Sequence, residues 1–122
     1  MKRDFYKPLV GLMWLALPVT ALTYWRAWDH LPARMAVHFN ANWQPNGYTT
    51  REGAIELGLG IMIVTLLLFT VGGLVVRALN PAVSWPMLAV FYVVLGFVWF
   101  GNNSIVEWNL PKQPQLFNLQ VP

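Results

Sequence analysis

Three stretches of the chain hold no charged residue over a length that can cross a bilayer. They are Pro8–Trp25, Leu57–Val76, and a third centred on Met87–Phe100 with no charge between Arg77 and Glu107. A hydrocarbon core of about 30 Å takes about 20 helical residues. The second stretch meets that requirement directly. The first meets it with a few flanking residues. The pattern therefore predicts helices over about 8–26, 50–78 and 82–105, with a polar loop over 27–49 and an extended tail over 106–122.

The ends carry their own signals. Thr49 and Glu52 have capping-box spacing, which predicts a second helix starting near Thr50. Asn80-Pro81 reads as an N-cap followed by proline at the first helical position, and Pro86 then lies inside the third helix, where it can kink it. Arg77 closes the second helix, where a cation suits the helix dipole. Ala54 and Gly58 form a small-xxx-small pair, and Gly72-Gly73 lies deeper in the span; small residues let helices approach. Lys2, Arg3 and Lys7 before an apolar run resemble a signal peptide, but the run is long for one and Pro18 is badly placed for cleavage, so a retained first helix is expected.

Composition agrees with a membrane assignment. The chain has 122 residues, 57% hydrophobic and 11% charged. A soluble domain carries about 25% charged residues. Cysteine is absent, which excludes disulfides and thiolate chemistry. The net charge of +3 is dispersed, with no basic run beyond Lys2-Arg3. That suits anionic lipid headgroups rather than nucleic acid. Lysine and arginine tie at four on each side of the three spans. Lys2, Arg3 and Lys7 are concentrated before the first helix, which favours a cytoplasmic N-terminus and an outer 27–49 loop. Tyr24, Trp25, Trp28 and Trp108 are expected to line one interface, and Phe5, Tyr6 and Trp85 the other.

The loop is the informative segment. Met35, Val37 and Phe39 alternate with Ala36 and His38, which predicts a short extended piece with its apolar side on the helix ends. Pro45-Asn46-Gly47-Tyr48 reads as a turn. The expected loop is ordered: an extended segment, a turn, then the cap of the second helix.

Leu31-Pro32, Val37-His38-Phe39-Asn40, Pro45-Asn46-Gly47-Tyr48 and Thr50-Arg51 together resemble the bacterial membrane domain family DUF1648. Its pattern, roughly LPxxIPxHFNxxGxPDGYGSK, lies between a first and a second membrane helix. The likeness covers about residues 10–70 and leaves the third helix outside. Met35-Ala36 replaces Ile-Pro, Trp43 falls where the family often has glycine, Asn46 replaces aspartate, and Thr50-Arg51 replaces Ser-Lys. Some members resemble the immunity protein SdpI, which implies an SdpI-like N-terminal module in a bacterial inner membrane. Those proteins carry more membrane helices than this chain.

Other residues invite sharper readings. Asp29, His30 and His38 suggest a metal site, but a His spacing of eight fits no compact ligand motif. His38 is expected to hydrogen-bond within the loop and His30 to sit at the interface. Glu56 lies one turn inside the second helix. An ionisable group there is a functional candidate, but its place near a helix N-terminus favours a structural role, pairing with Arg51 or reaching the headgroups. Asn102-Asn103-Ser104 is a polar patch whose amides can hydrogen-bond to neighbouring helices; the preferred reading is a helix end entering water. No catalytic constellation is present, so no enzyme activity and no cofactor are expected.

The expected fold is an all-α membrane protein of three transmembrane helices with an ordered outer loop. The expected function is recognition through Leu31, Pro32, His38, Phe39, Asn40, Trp43, Pro45, Asn46, Gly47 and Tyr48. The ligand would be a peptide, a lipid or a partner membrane protein. The alternative is a small accessory subunit, or a homo-oligomer, whose Pro-rich tail lies along a partner.

Overall fold

The structure, a computed structural model, describes residues 4–111. The chain runs α1 (Tyr6–Leu12), a 3-10 turn (Met13–Leu15), α2 (Ala16–Ala27), a second 3-10 turn (Trp28–His30), β1 (Arg34–Phe39), β2 (Pro45–Thr50), α3 (Arg51–Leu79) and α4 (Pro81–Asn109). The first span, Tyr6–His30, joins α3 and α4 as the third helix long and apolar enough to cross a membrane. Within these apolar windows only 22%, 17% and 22% of positions are buried inside the chain. Leu68, Val71, Val93 and Phe97 lie exposed. Apolar surface on that scale needs lipid or protein around it.

Pro18 explains the break in the first span. It offers no N–H to the carbonyl of Trp14, and its ring crowds the turn before it. The backbone tightens into a 3-10 turn at Met13–Leu15. In α4, by contrast, Pro86 lies early in a helix that is unbroken from Pro81 to Asn109.

The side chains between helices form two apolar clusters with a polar layer between them. One gathers Tyr6, Met13, Met62, Leu66, Leu88 and Phe91. The other, at the hairpin end, gathers Tyr24, Leu31, Met35, Ala54 and Val106. Between them the Tyr24 hydroxyl donates to Asn102 Oδ1 at 2.6 Å, and Asn102 Nδ2 donates to the carbonyls of Val98 at 3.1 Å and Gly58 at 3.4 Å. Asn102 is 5% exposed. It is therefore a buried link between three helices, not a helix end entering water. Similar links recur along the bundle. The Tyr6 hydroxyl donates to the Gly73 carbonyl, Trp14 Nε1 to Thr70 Oγ1, and the Tyr92 hydroxyl to the Leu9 carbonyl.

These bonds correct the expected aromatic belts. Tyr6 and Tyr24 are buried rather than anchored in headgroups, while Phe5, Trp25, Trp85 and Trp108 remain exposed. They also explain two glycines. A Cβ on Gly73 would sit 3.2 Å from the Tyr6 hydroxyl, and one on Gly58 would collide with Asn102 and Tyr24.

At the opposite end Arg77 ties the termini of the spans together. It pairs with Asp4 at 3.1 Å, donates to Ser84 Oγ at 3.0 Å and lies over the rings of Tyr6 and Trp85. Asn80 is the single residue linking α3 to α4, and Pro81 opens α4 as expected, although the Asn80 side chain makes no capping bond.

The loop departs most from expectation, because it is a two-stranded antiparallel sheet. The all-α expectation is corrected to a mostly helical chain with a β-hairpin between the first two spans. Pro45-Asn46-Gly47-Tyr48 is not a turn but most of β2. The turn lies before it, at Asn40–Gln44. There Asn40 Oδ1 accepts from the Asn42 and Gln44 N–H groups, and the Asn40 and Gln44 backbones pair. Pro45 opens the strand, a position proline tolerates. Gly47 is needed for close pairing rather than for a turn, since a Cβ there would lie 2.9 Å from His38 Cβ.

The cap of α3 lies one residue later than expected. Thr49 and Thr50 both pair in the sheet, with Met35 and Arg34, and α3 begins at Arg51, so Thr50 is the residue that precedes it. Thr50 takes the capping role, its hydroxyl accepting from the Gly53 N–H at 2.9 Å. The expected Thr49–Glu52 capping box does not form. The last helix also runs beyond 105, through Asn109, so the tail begins at Leu110. The remainder of the expected tail, from Lys112 on, lies outside the described residues, as do Lys2 and Arg3.

Two outcomes follow for stability in detergent. Gly58→Ala must displace Asn102 and Tyr24 and should cost about 2 kcal/mol, whereas Gly60→Ala, which enters open space, should stay within about 0.5 kcal/mol of the parent. Tyr24→Phe, which leaves Asn102 short of a donor, should cost about 1 kcal/mol. Thermal melts of the three variants, monitored by circular dichroism, check this ordering.

Candidate functional site

The hairpin is bolted to the helix ends at three places. The Asn109 side-chain amide makes a two-way bond with Ala36: the Ala36 N–H donates to Asn109 Oδ1 and Asn109 Nδ2 donates to the Ala36 carbonyl, both at 2.8 Å. A side-chain amide thus stands in for a neighbouring strand at the edge of β1. Phe39 meets Trp108 edge to face, with ring centroids 5.1 Å apart. Arg51 Nη1 donates to the Trp28 carbonyl at 3.1 Å and approaches that of Leu31, while its guanidinium lies over the Trp28 ring. The Arg51 N–H donates to the Ala33 carbonyl. Arg51 does not pair with Glu56. Glu56 lies exposed on α3, and the Arg77–Asp4 bridge is the one ion pair among the described residues.

These bolts divide the sequence-predicted residues into two groups. Leu31 is buried, Met35 and Val37 pack beside it, and Phe39 is half-buried on Trp108. Asn40 builds the turn, while Pro45 and Gly47 build β2. This group makes the hairpin. His38, Asn46, Trp43 and Tyr48 are exposed, as is Pro32 at the entry to β1. Asn46 Oδ1 lies 2.6 Å from His38 Nδ1, so the ring N–H donates across the strands and Nε2 is left to the surroundings. Arg34 lies over the Tyr48 ring at 4.6 Å. The strands are irregular on both sides of His38, with Val37 and Asn46 as extra residues in the register. Such bulges re-aim side chains.

Trp43 stands apart. It is 80% exposed and has φ 60°, the one non-glycine residue with positive φ among those described. Its N–H donates to the Asn40 carbonyl at 3.0 Å, which holds that conformation. A left-handed residue with a Cβ costs about 1–2 kcal/mol relative to a relaxed backbone. A φ of 60° is a geometry that glycine takes without steric cost. Here it is taken by the bulkiest side chain.

His30 sits on the 3-10 turn beside Asp29, and both are exposed, separate from the His38–Asn46 pair. Among the described residues, no group of three or more His, Cys, Asp or Glu side chains is placed to hold a metal ion. Sequence reasoning missed Asn109 and preferred a solvated helix end for Asn102 over a bond to a neighbouring helix. Neither lies in a motif, and each acts across more than 70 residues, so no local pattern reports them.

The Asn109 contact has a measurable consequence. Asn109→Leu should release the edge of β1: amide exchange at Ala36 should accelerate while helix content by circular dichroism stays unchanged. Unaltered exchange would show that the amide pair does not hold the strand.

The family described as a domain of unknown function, DUF1648, matches residues 14–63. That segment takes in α2, the hairpin and the first part of α3. No curated protein and no solved structure matches the chain. The match to DUF1648 spans residues 14–63, less than half of the chain, and leaves α4 outside it.

Proposed function

We propose that this chain is a non-catalytic membrane module that binds a peptide or a segment of a partner membrane protein through the tip and outer face of its hairpin. The carrying observation is Trp43. A large aromatic ring is held 80% exposed in a left-handed backbone. Strain of this kind persists where the surroundings impose it, and it concentrates at binding and switch sites. Exposed tryptophan on a rigid support is also the residue type most enriched at binding hot spots. His38 Nε2, Asn46, Tyr48 and Arg34 supply polar and cationic groups on the same hairpin.

The proposed setting is a bacterial cytoplasmic membrane with the N-terminus inside and the hairpin outside. The charge cluster before the first span supports that orientation. A second reading, an accessory subunit of a larger membrane complex, is favoured by the large share of each span left uncovered by the chain itself.

Trp43→Gly separates folding from binding. Glycine relieves the backbone strain, so the melting temperature should hold or rise, while any partner that co-purifies in mild detergent should be lost. Capture of the same partner by the glycine variant would overturn the hairpin as the binding element. Stoichiometric co-purification with a large complex, insensitive to Trp43, would select the subunit reading. Orientation has its own test. A single cysteine at Asn42, in a chain that has none, should react with a membrane-impermeant maleimide on intact cells; protection until lysis would reverse the topology.

A further inference from the structure

We infer that the groove between α2 and α4 is a binding site for one phospholipid with a zwitterionic headgroup that bears a primary amine. The site is separate from the outer face of the hairpin and does not depend on the reading proposed for it. The groove is open and about 780 Å³ in volume. Towards the middle of the first span it is apolar, lined by Val19 and Leu22. Its mouth carries Arg26 and His30 from the first span and Glu107 from α4. At the step between the two parts, Thr23 Oγ1 approaches Asn103 Oδ1 at 3.4 Å, and both residues line the groove.

The ordering from apolar floor to charged mouth matches a lipid standing in its own leaflet. The mouth is flanked by residues suited to headgroup depth. Trp25 and Trp108, each one residue from a charged member of the mouth, are exposed at this level, as interfacial tryptophans are. Arg26 and Glu107 flank the groove without meeting; among the described residues neither has an ion-pair partner. A cation and an anion left open on opposite walls complement a ligand that carries both signs. The phosphate fits Arg26, where the guanidinium fork can donate two parallel hydrogen bonds. The amine fits Glu107, and a primary ammonium can donate N–H bonds to the carboxylate where a trimethylated one cannot. An acyl chain would then lie along Val19 and Leu22.

The test is native mass spectrometry of the full chain released from detergent, with equimolar phosphatidylethanolamine, phosphatidylcholine and phosphatidylglycerol of identical acyl chains. Phosphatidylethanolamine should be retained about threefold over each of the others, the scale of one exposed ion pair. Glu107→Gln should erase the preference over phosphatidylcholine. Arg26→Gln should lower retention of all three lipids, and Arg26→Lys should restore much of it. All these positions are exposed, so folding should survive, with circular dichroism as the check. Equal retention of the three lipids by the parent chain overturns the proposal. So does a phosphatidylethanolamine preference that both Gln variants keep, and so does preferential retention of phosphatidylglycerol, which would mark a simple cationic surface.

Discussion

Hydrocarbon offers no water to a polar group, and the rest of this structure is arranged around that fact. Asn102 is the clearest case. Its amide lies inside the bundle, where an unpaired donor or acceptor is costly, so three helices must come to it: Tyr24 from the first span, Gly58 from α3 and Val98 from its own helix. Glycine at 58 is what lets them arrive. Apolar packing alone discriminates weakly between one helix rotation and another in lipid, since lipid tails compete on equal terms. A buried amide does discriminate, because only one rotation satisfies it. The bonds from Tyr6, Trp14 and Tyr92 repeat the logic at other depths.

The hairpin is positioned by the same demand at the membrane edge. Strand β1 would leave an open edge at Ala36, and Asn109 covers it with a matching donor and acceptor. Arg51 collects carbonyls left at the end of the first span. With its inner side fixed, the outer side carries the exposed groups of the family motif.

Much of this was legible in the chain. Charge-free stretches locate helices because bilayer thickness imposes their length, and alternation at Met35, Val37 and Phe39 marks a strand because a half-buried strand has period two. The second strand was harder. Pro45, Asn46 and Gly47 carry turn-forming chemistry, yet Asn40 claims the turn with its side chain, and Gly47 serves cross-strand approach to His38 instead. The capping box failed because α3 begins at Arg51, which leaves Thr50, not Thr49, as the residue whose hydroxyl reaches a free helix N–H. Asn102 looked like a solvated end because nothing nearby in sequence reveals Tyr24. The strain at Trp43 is visible only in the backbone.

The Asn109–Ala36 pair bears on where this domain truly ends. The family segment stops at residue 63, but its own sheet edge is completed from residue 109 and its Gly58 carbonyl from residue 102. During synthesis the hairpin emerges long before either asparagine exists. Until α4 arrives, the edge of β1 stays open, the sort of edge that recruits foreign strands. The last helix is therefore the closing piece of a unit begun some 70 residues earlier, and a gene cut at the family boundary would encode a sheet with one side missing.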